Sequence, residues 1–287
     1  MLQSHSEMEE ISFYEITKIL DLLKCKRGFD FTGNKHSMLE RRIQKRLFTT
    51  QTKTYNDYYL FLNDHPQEFD KLIDVLTINV SCFFRDPIMF DYLSSKILPN
   101  LIFEKLKKKD NSIRIWSPGC STGEEPYSVA IELKEYFEKE SLSFNVDIFA
   151  TDIDKKALKT AVYGQYNYDK IKNIKFDFIN KYFKVRDNSY ILKSEIRQMV
   201  QFSFFDILDE RHFVPPESIF GDFDIVFCRN VLIYFNHNHQ EIIFNKLYKS
   251  LNSNGYLILG EAETPIEKFA KKFKKENECC KIYRKIS

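Results

Sequence analysis

Several features that would assign this 287-residue sequence to a special class of protein are missing. No apolar run approaches the ~18 residues of a membrane-spanning helix, and the acidic first twenty residues lack the apolar stretch of a secretory signal. With only 8 glycines and 8 prolines, the composition also differs from that of disordered or collagenous chains. These absences predict a globular, cytoplasmic protein without a membrane-inserted segment.

Cysteine spacing argues against a zinc protein, and net charge argues against general binding to nucleic acid or lipid. Four of the six cysteines are isolated and the other two, Cys279 and Cys280, are adjacent, which is not a zinc-site spacing. His237 and His239 lack an identifiable third ligand, so we expect no metal. The formal net charge is only +2, which gives no global attraction to nucleic acid or anionic lipid. Any basic binding surface must therefore be local, and we expect no nucleic-acid partner.

The first third of the chain has helical periodicity. Apolar residues recur there at three- and four-residue steps, which is the spacing of one helix face. Helices are expected near residues 13–23, 38–47, 55–62 and 68–76. We therefore predict an all-α N-terminal domain over residues 1–95. The second helix carries a basic cluster whose plain interpretation is a solvated face, namely Arg41, Arg42, Lys45 and Arg46.

From residue 112 onward, short apolar strands alternate with amphipathic helices. Strands are expected at 112–117, 146–150, 199–205, 223–228 and 255–260. Alternation of this kind predicts a parallel sheet with helices on both faces, so we predict a doubly wound, Rossmann-like α/β domain over residues 96–287. Residues 182–198 instead have the pattern of an antiparallel hairpin, which would be a small β insertion in that domain.

Ligands bind such sheets beyond the carboxyl ends of the strands, and one candidate segment there is WSPGCSTGEEPY at residues 116–127. Gly119 permits close approach of the backbone to a ligand, and the following helix begins with free amides. Glu124 and Glu125 in the first helical turn would repel a pyrophosphate. A cationic or zwitterionic ligand therefore fits this segment better.

Two more strand ends carry polar side chains. Asp152 follows the second strand, where an acid can accept both hydroxyls of a ribose, and we assign Asp154 as the cap of the next helix. After a later strand come Arg229, Asn230 and Tyr234. An acid for the ribose and a glycine loop without a phosphate anchor favour S-adenosylmethionine over NAD or ATP.

Three segments resemble the signatures of the CheR-type chemoreceptor glutamate O-methyltransferases. They are NVSCFFRDP at 79–87, WSPGCSTGEEPYS at 116–128 and CRNVLIYF at 228–235. The segments occur in the family's order and at compatible spacing. The basic stretch at 35–47 also resembles that family's N-terminal helix, so the similarity covers about residues 10–285.

The resemblance implies a methyltransferase fold with an S-adenosylmethionine pocket. Arg85 would hold the methionine carboxylate, Glu124 the amino-acid region and Asp152 the ribose. The implied cofactor-binding residues are Asn79, Ser81, Arg85, Gly119, Glu124, Asp152, Asp206, Ile207, Asn230 and Val231. Three positions differ from the usual family pattern, namely Ser81 in place of Thr, Asp206 in place of Asn and Glu261 in place of His.

The implied reaction transfers a methyl group to glutamate carboxylates of chemoreceptors in chemotactic adaptation, with S-adenosylhomocysteine as the product. A glutamate is already ionised at pH 7, so no general base is required, and the six histidines show no arrangement suited to one. Arg229 and Tyr234 are our candidates for orienting the substrate carboxyl. A structural ion pair for Arg229 and a packed aromatic for Tyr234 are the alternatives.

The resemblance also implies the partner. The cytoplasmic methylation helices of chemoreceptors are rich in Glu and Gln, which Arg41, Arg42, Lys45 and Arg46 would complement. Because the turn at residues 186–189 is short, we expect weak or absent docking of a receptor tail peptide. We expect the protein to act as a monomer.

Two other functions remain open at this stage. Glu261, in place of the expected His, is compatible with a non-catalytic adaptor that binds S-adenosylmethionine without turnover. A methyltransferase acting on RNA or on another protein is the second alternative, and the near-zero net charge argues against RNA.

Overall fold

The computed structural model describes residues 5–77 and 81–286. The chain forms two compact units, Met1–Ile78 with Tyr234–His239, and Asn79–Ile233 with Gln240–Ser287. Sequence analysis had grouped residues 81–95 with the N-terminal helices, whereas in the structure they belong to the second unit. The physical reason is that Phe83 and Phe90 are buried in the core of that unit.

Within residues 5–77, four α-helices form most of the first unit. They are α1 (His5–Arg27), α2 (His36–Thr50), α3 (Tyr55–Asp64) and α4 (Glu68–Leu76). Their apolar stripes meet in one core that includes Ile19, Ile43 and Leu72, each fully buried. A capping box at Thr54 fixes the start of α3, because Thr54 and Asp57 satisfy each other's backbone amides. The predicted N-terminal helical domain is confirmed.

The second unit begins with helices and then alternates strands with helices. A π-helical stretch, Leu93–Ile97, joins α5 (Pro87–Tyr92) to α6 (Leu98–Lys107). The later helices are α7 (Glu124–Glu140), α8 (Lys155–Tyr163), α9 (Tyr168–Ile171), α10 (Phe176–Tyr182), α11 (Ser194–Arg197), α12 (His237–Ser250) and α13 (Glu267–Ala270). Short 3-10 turns lie at Pro216–Ser218 and Leu232–Tyr234.

In the part of the chain that the structure describes, ten strands form two sheets. The strands are β1 (Ser112–Pro118), β2 (Asn145–Asp152), β3 (Gln165–Tyr166), β4 (Phe183–Arg186), β5 (Ser189–Leu192), β6 (Val200–Phe204), β7 (Phe223–Cys228), β8 (Leu251–Leu259), β9 (Phe273–Lys275) and β10 (Ile282–Lys285). The large sheet has the order β6-β2-β1-β7-β8-β10-β9 and the small one β3-β5-β4. The predicted doubly wound sheet and antiparallel insertion are both confirmed.

Two details of the large sheet differ from the expectation of a parallel sheet. β10 pairs antiparallel with β8, and β9 pairs antiparallel with β10, so the sheet is mixed. The lysine-rich β9 is the edge strand of this sheet, which fits the general protection of sheet edges by lysine.

The order of the strands in the large sheet indicates where a ligand can bind. In the large sheet, β2 and β6 lie on one side of β1, and β7 and β8 lie on the other, so the strand order reverses between β1 and β7. The carboxyl ends of the parallel strands are in register, with Pro118 opposite Thr151, Asp152 opposite Phe204, and Cys228 opposite Leu259. The residues directly after β1, β2 and β7 therefore share one edge of the large sheet.

Candidate functional site

The glycine loop between β1 and α7 is held against the end of β2. The Gly119 and Cys120 amides both donate to the Thr151 carbonyl, at 2.7 and 3.0 Å. Gly119 has a φ of 70°, and a Cβ added there would lie 2.5 Å from Cγ2 of Val231. Glycine is therefore required both by the backbone conformation and by the close approach of the segment that follows β7.

Asp152 links the glycine loop to the end of β2. Its Oδ2 accepts a hydrogen bond from the Ser121 amide at 2.8 Å, and its Oδ1 accepts one from the Asp154 amide at 2.9 Å. Burial raises the pKa of Asp152, and backbone hydrogen bonds from Asp154, Ser121 and Ile153 oppose that rise. Asp154 accepts from the Lys156 and Ala157 amides at the start of α8, which confirms it as the helix cap.

Glu124, the first residue of α7, is fully buried. Its Oε1 accepts from the Thr122 hydroxyl at 2.6 Å and lies 2.8 Å from Nζ of Lys170. Its Oε2 has no hydrogen-bond partner among the residues that the structure describes. A buried carboxylate oxygen without a donor is costly, so this atom is an open acceptor at the sheet edge.

Lys170 connects Glu124 to the segment that precedes α5. Its Nζ also donates to the Ser81 carbonyl at 2.8 Å, and its own carbonyl accepts from the Phe83 amide at 2.9 Å. Sequence analysis missed this residue, because it lies in a short helix 46 positions after Glu124 and no local pattern marks it. Ser81 is partly exposed, and Asn79 lies outside the described residues.

Arg229, just after β7, is buried within a network of acids. Its Nη1 lies 3.1 Å from Oε2 of Glu125, while Nη2 donates to the Arg85 carbonyl at 3.0 Å and pairs with Asp86. The Ser117 hydroxyl donates to the other Glu125 oxygen at 2.8 Å. Burial raises the pKa of Glu125, and the Arg229 charge lowers it. Arg229 thus forms the structural ion pair that sequence analysis had kept as the alternative.

The two predicted orienting residues belong to different units of the chain. Arg229 lies in the second unit, whereas Tyr234 belongs to the first. Within that unit the Tyr234 carbonyl accepts a hydrogen bond from the Lys35 amide at 2.9 Å. Arg229 instead contacts Glu125 and Asp86 within the second unit.

Glu263 organises the segment that follows β7 and was not identified as a site residue from the sequence. It is 4% exposed and accepts hydrogen bonds from the backbone amides of Gly260, Asn230, Val231, Leu232 and Ile233. Asn230 has a φ of 58°, which this set of bonds stabilises. No local pattern marks Glu263, because four of its five donors lie in a distant segment. Sequence analysis marks only the nearby Glu261, which is exposed and lines a cavity of about 230 Å³ beside Arg229.

The remaining predicted cofactor residues lie after β6. The Phe205 amide donates to the Asp152 carbonyl at 3.2 Å, which places this turn beside Asp152. Asp206 accepts from the Leu208 amide at 2.9 Å, and Ile207 is 7% exposed. Both residues therefore lie at the same sheet edge as the glycine loop.

The basic cluster of α2 divides into two pairs. Arg41 and Lys45 are exposed. Arg42 donates to the Val75 carbonyl, and Arg46 lies 2.7 Å from Oε1 of Glu68, which is 2% exposed. The expectation of four outward-facing cations therefore needs correction, because two of them stabilise the interior of the helical unit.

Two features are absent from the described residues. No cluster of three or more His, Cys, Asp or Glu side chains suited to a metal ion occurs in them. No helix in the same part of the chain combines the length and hydropathy required to cross a membrane.

The second unit has the mixed, doubly wound sheet of an S-adenosylmethionine-dependent methyltransferase domain. Comparison with known proteins gives the family. Residues 79–281 match the CheR methyltransferase SAM binding domain, and residues 14–77 match the CheR methyltransferase all-alpha domain. The chain belongs to the CheR methyltransferase family, as the sequence resemblance indicated.

Individual relatives agree with this assignment. The chain is 34% identical over 256 residues to the chemotaxis protein methyltransferase of Borreliella burgdorferi, covering 87% of this chain and 88% of that protein. It is 32% identical over 253 residues to chemotaxis protein methyltransferase 2 of Vibrio cholerae, covering 87% and 85%. The corresponding values for the chemotaxis protein methyltransferase of Escherichia coli are 28% over 269 residues, 92% and 88%.

Proposed function

We propose that this protein methylates glutamate side chains of chemoreceptors, with S-adenosylmethionine as the donor and a glutamate methyl ester as the product. Its family and the names of its relatives support this reaction. The observation that carries the cofactor assignment is the buried Oε2 of Glu124, which lacks a donor among the described residues. The ammonium group of a methionine moiety would supply that donor.

The other site residues fit the remaining parts of the cofactor. Asp152 accepts backbone hydrogen bonds from Ser121, Ile153 and Asp154, and a carboxylate offers about four acceptor positions, so it can still accept from the ribose. Arg85 would bind the methionine carboxylate. We propose Ser81, Asn79 and Gly119 as further contacts, and the pairs Asp206–Ile207 and Asn230–Val231 as the border of the adenine.

The bound cofactor supplies a methyl group on a positively charged sulfur, and the residues of this chain supply binding and orientation. Because the substrate carboxylate is ionised at neutral pH, no side chain has to remove a proton. Arg229 acts as a positioning residue, since it ties the Arg85 and Asp86 backbone segment to Glu125 on α7. Tyr234 remains our candidate for orienting the substrate carboxyl.

We propose that Arg41 and Lys45 bind the acidic methylation helices of the receptor. Arg42 and Arg46 instead have partners within the helical unit, so their loss would weaken that unit before it weakened receptor binding. The proposed substrate implies a cytoplasmic enzyme, which we expect to be monomeric and to need no metal.

Incubation with methyl-labelled cofactor and chemoreceptor membranes tests the reaction. The expected result is label on the receptor that base releases as methanol, because carboxyl methyl esters hydrolyse in base and N-methyl groups do not. Glu124→Gln should abolish the labelling while Glu140→Gln, at the exposed end of the same helix, preserves it. Cofactor binding without any methanol release would indicate a non-catalytic adaptor, and base-stable label would indicate a different methyl acceptor.

A further inference from the structure

Phe48 on α2 is exposed to an unusual degree for an aromatic side chain. Its relative exposure is 87%, more than that of any other large apolar side chain that the structure describes. Isolated apolar residues on a surface are common, so exposure alone would not require an explanation. The neighbours of Phe48 on the helix are what give it significance.

The exposed face of α2 combines this ring with two exposed cations. At 3.6 residues per turn, Arg41 lies two turns before Phe48, and Lys45 lies one turn before it on the same side of the helix. The buried stripe of Leu39, Ile43 and Leu47 occupies the opposite side. One continuous helix face therefore presents a phenyl ring together with two positive charges.

Arg41 and Lys45 differ from the other two cations of α2 in their contacts. Among the side chains that the structure describes, the guanidinium of Arg41 and the ammonium of Lys45 form no ion pair. Arg42 and Arg46 on the adjoining side of α2, in contrast, are committed to Val75 and Glu68. The helix thus separates cations that hold the unit together from cations that remain available to a partner.

We infer that Phe48 is the apolar anchor of the surface that binds the receptor segment carrying the target glutamate, with Arg41 and Lys45 pairing with its carboxylates. This inference rests on the proposed function. The occupant is a helix that presents carboxylates beside apolar or small side chains, and charge complementarity supports it because the substrate itself supplies glutamates. Buried aromatic residues commonly dominate the binding energy of interfaces, whereas exposed charges mainly set orientation and association rate.

The ring and the cations should therefore contribute to receptor binding with different dependence on salt. Attraction by Arg41 and Lys45 is screened by salt, whereas burial of the Phe48 ring does not depend on screening. Phe48→Ala should raise the KM for receptor membranes about tenfold, equal to about 1.4 kcal/mol, by the same factor at about 0.05 M and about 0.5 M salt. The double variant Arg41→Ala with Lys45→Ala should raise that KM strongly at the lower salt concentration and little at the higher one.

Matched controls separate binding from folding and from catalysis. Leu60→Ala removes another exposed apolar side chain, 55% exposed on α3 of the same unit, and should leave the receptor KM unchanged. Phe48→Ala should not alter kcat, the affinity for S-adenosylmethionine or the melting temperature, because the ring makes little contact in the free protein. Phe48→Tyr, which keeps the ring, should restore most of the receptor affinity.

Several results of these measurements would contradict the inference. A receptor KM within twofold of wild type for Phe48→Ala, an equal rise for Leu60→Ala, or a rise that disappears at high salt would contradict it. Sedimentation showing that wild type dimerises and Phe48→Ala does not would assign the ring to self-association instead. Failure of the proposed function is separate and visible in wild type alone, as absence of base-released methanol, and it would overturn both.

Discussion

Replacing Glu263 with Gln tests how the segment after β7 is held. The carboxylate divides its five hydrogen bonds between its two oxygens. Oε1 accepts from Val231, Leu232 and Ile233 at 2.8–3.3 Å. Oε2 accepts from Asn230 at 2.8 Å and from Gly260 at 2.7 Å. A glutamine of the same shape has only one acceptor oxygen, so its amide nitrogen must face donors at one of these two positions.

The expected cost follows from the number of donors left unsatisfied. If the glutamine oxygen faces the three donors of Oε1, the amides of Asn230 and Gly260 lose their acceptor. Each buried N–H group left without an acceptor costs about 1–3 kcal/mol. We therefore expect Glu263→Gln to lower the free energy of unfolding by about 2–6 kcal/mol. The exposed Glu261→Gln is the matched control, with an effect within about 0.5 kcal/mol.

Urea unfolding monitored by circular dichroism measures both variants. Because Asn230 and Val231 are proposed to border the adenine, Glu263→Gln should also weaken S-adenosylmethionine binding in calorimetry. A loss of stability below about 1 kcal/mol, with unchanged cofactor affinity, would refute the reasoning that this carboxylate holds the segment.

Three other predictions concern the helical unit, a buried lysine and the β insertion. Arg46→Met should cost about 3 kcal/mol or more by leaving Glu68 buried without its closest cation, whereas Arg41→Met should change the urea midpoint little. Burial lowers the pKa of Lys246 to about 8, so unfolded chains bind more protons than folded ones above that pH. Wild type should therefore gain stability relative to Lys246→Met as pH rises from 8 toward 10, and urea titrations without this gain would contradict the assignment. Because the β4–β5 turn contains only Asp187 and Asn188, a receptor tail peptide should bind weakly or not at all, and tight binding in calorimetry would overturn this expectation.

The sequence predicts features that repeat along the chain. The helical stripes, the alternation of strands with helices and the positions of Asp152 and Asp154 follow from local periodicity and from the chemistry of strand ends. The antiparallel strands β9 and β10 were missed because both are short and β9 is rich in lysine. Short edge strands carry little alternation to detect.

Contacts between distant parts of the chain could not be predicted in this way. Glu263 lies 33 residues after Asn230, whose amide it accepts, and Glu68 lies 22 residues after Arg46. The pattern of α2 identifies its buried stripe, but the partner that turns Arg46 inward belongs to another helix. Both pairs are made by packing of separate elements, so only the folded structure shows them.

The central claim is that S-adenosylmethionine lies at the carboxyl edge of the large sheet, with its ammonium group on Glu124. A crystal structure of the protein with S-adenosylhomocysteine tests it most directly. We expect the amino nitrogen of that product within about 2.7–3.2 Å of Oε2 of Glu124, and the ribose hydroxyls at Asp152. A complex in which the product binds elsewhere, or in which Glu124 keeps an unpartnered oxygen beside an occupied cleft, would contradict the account.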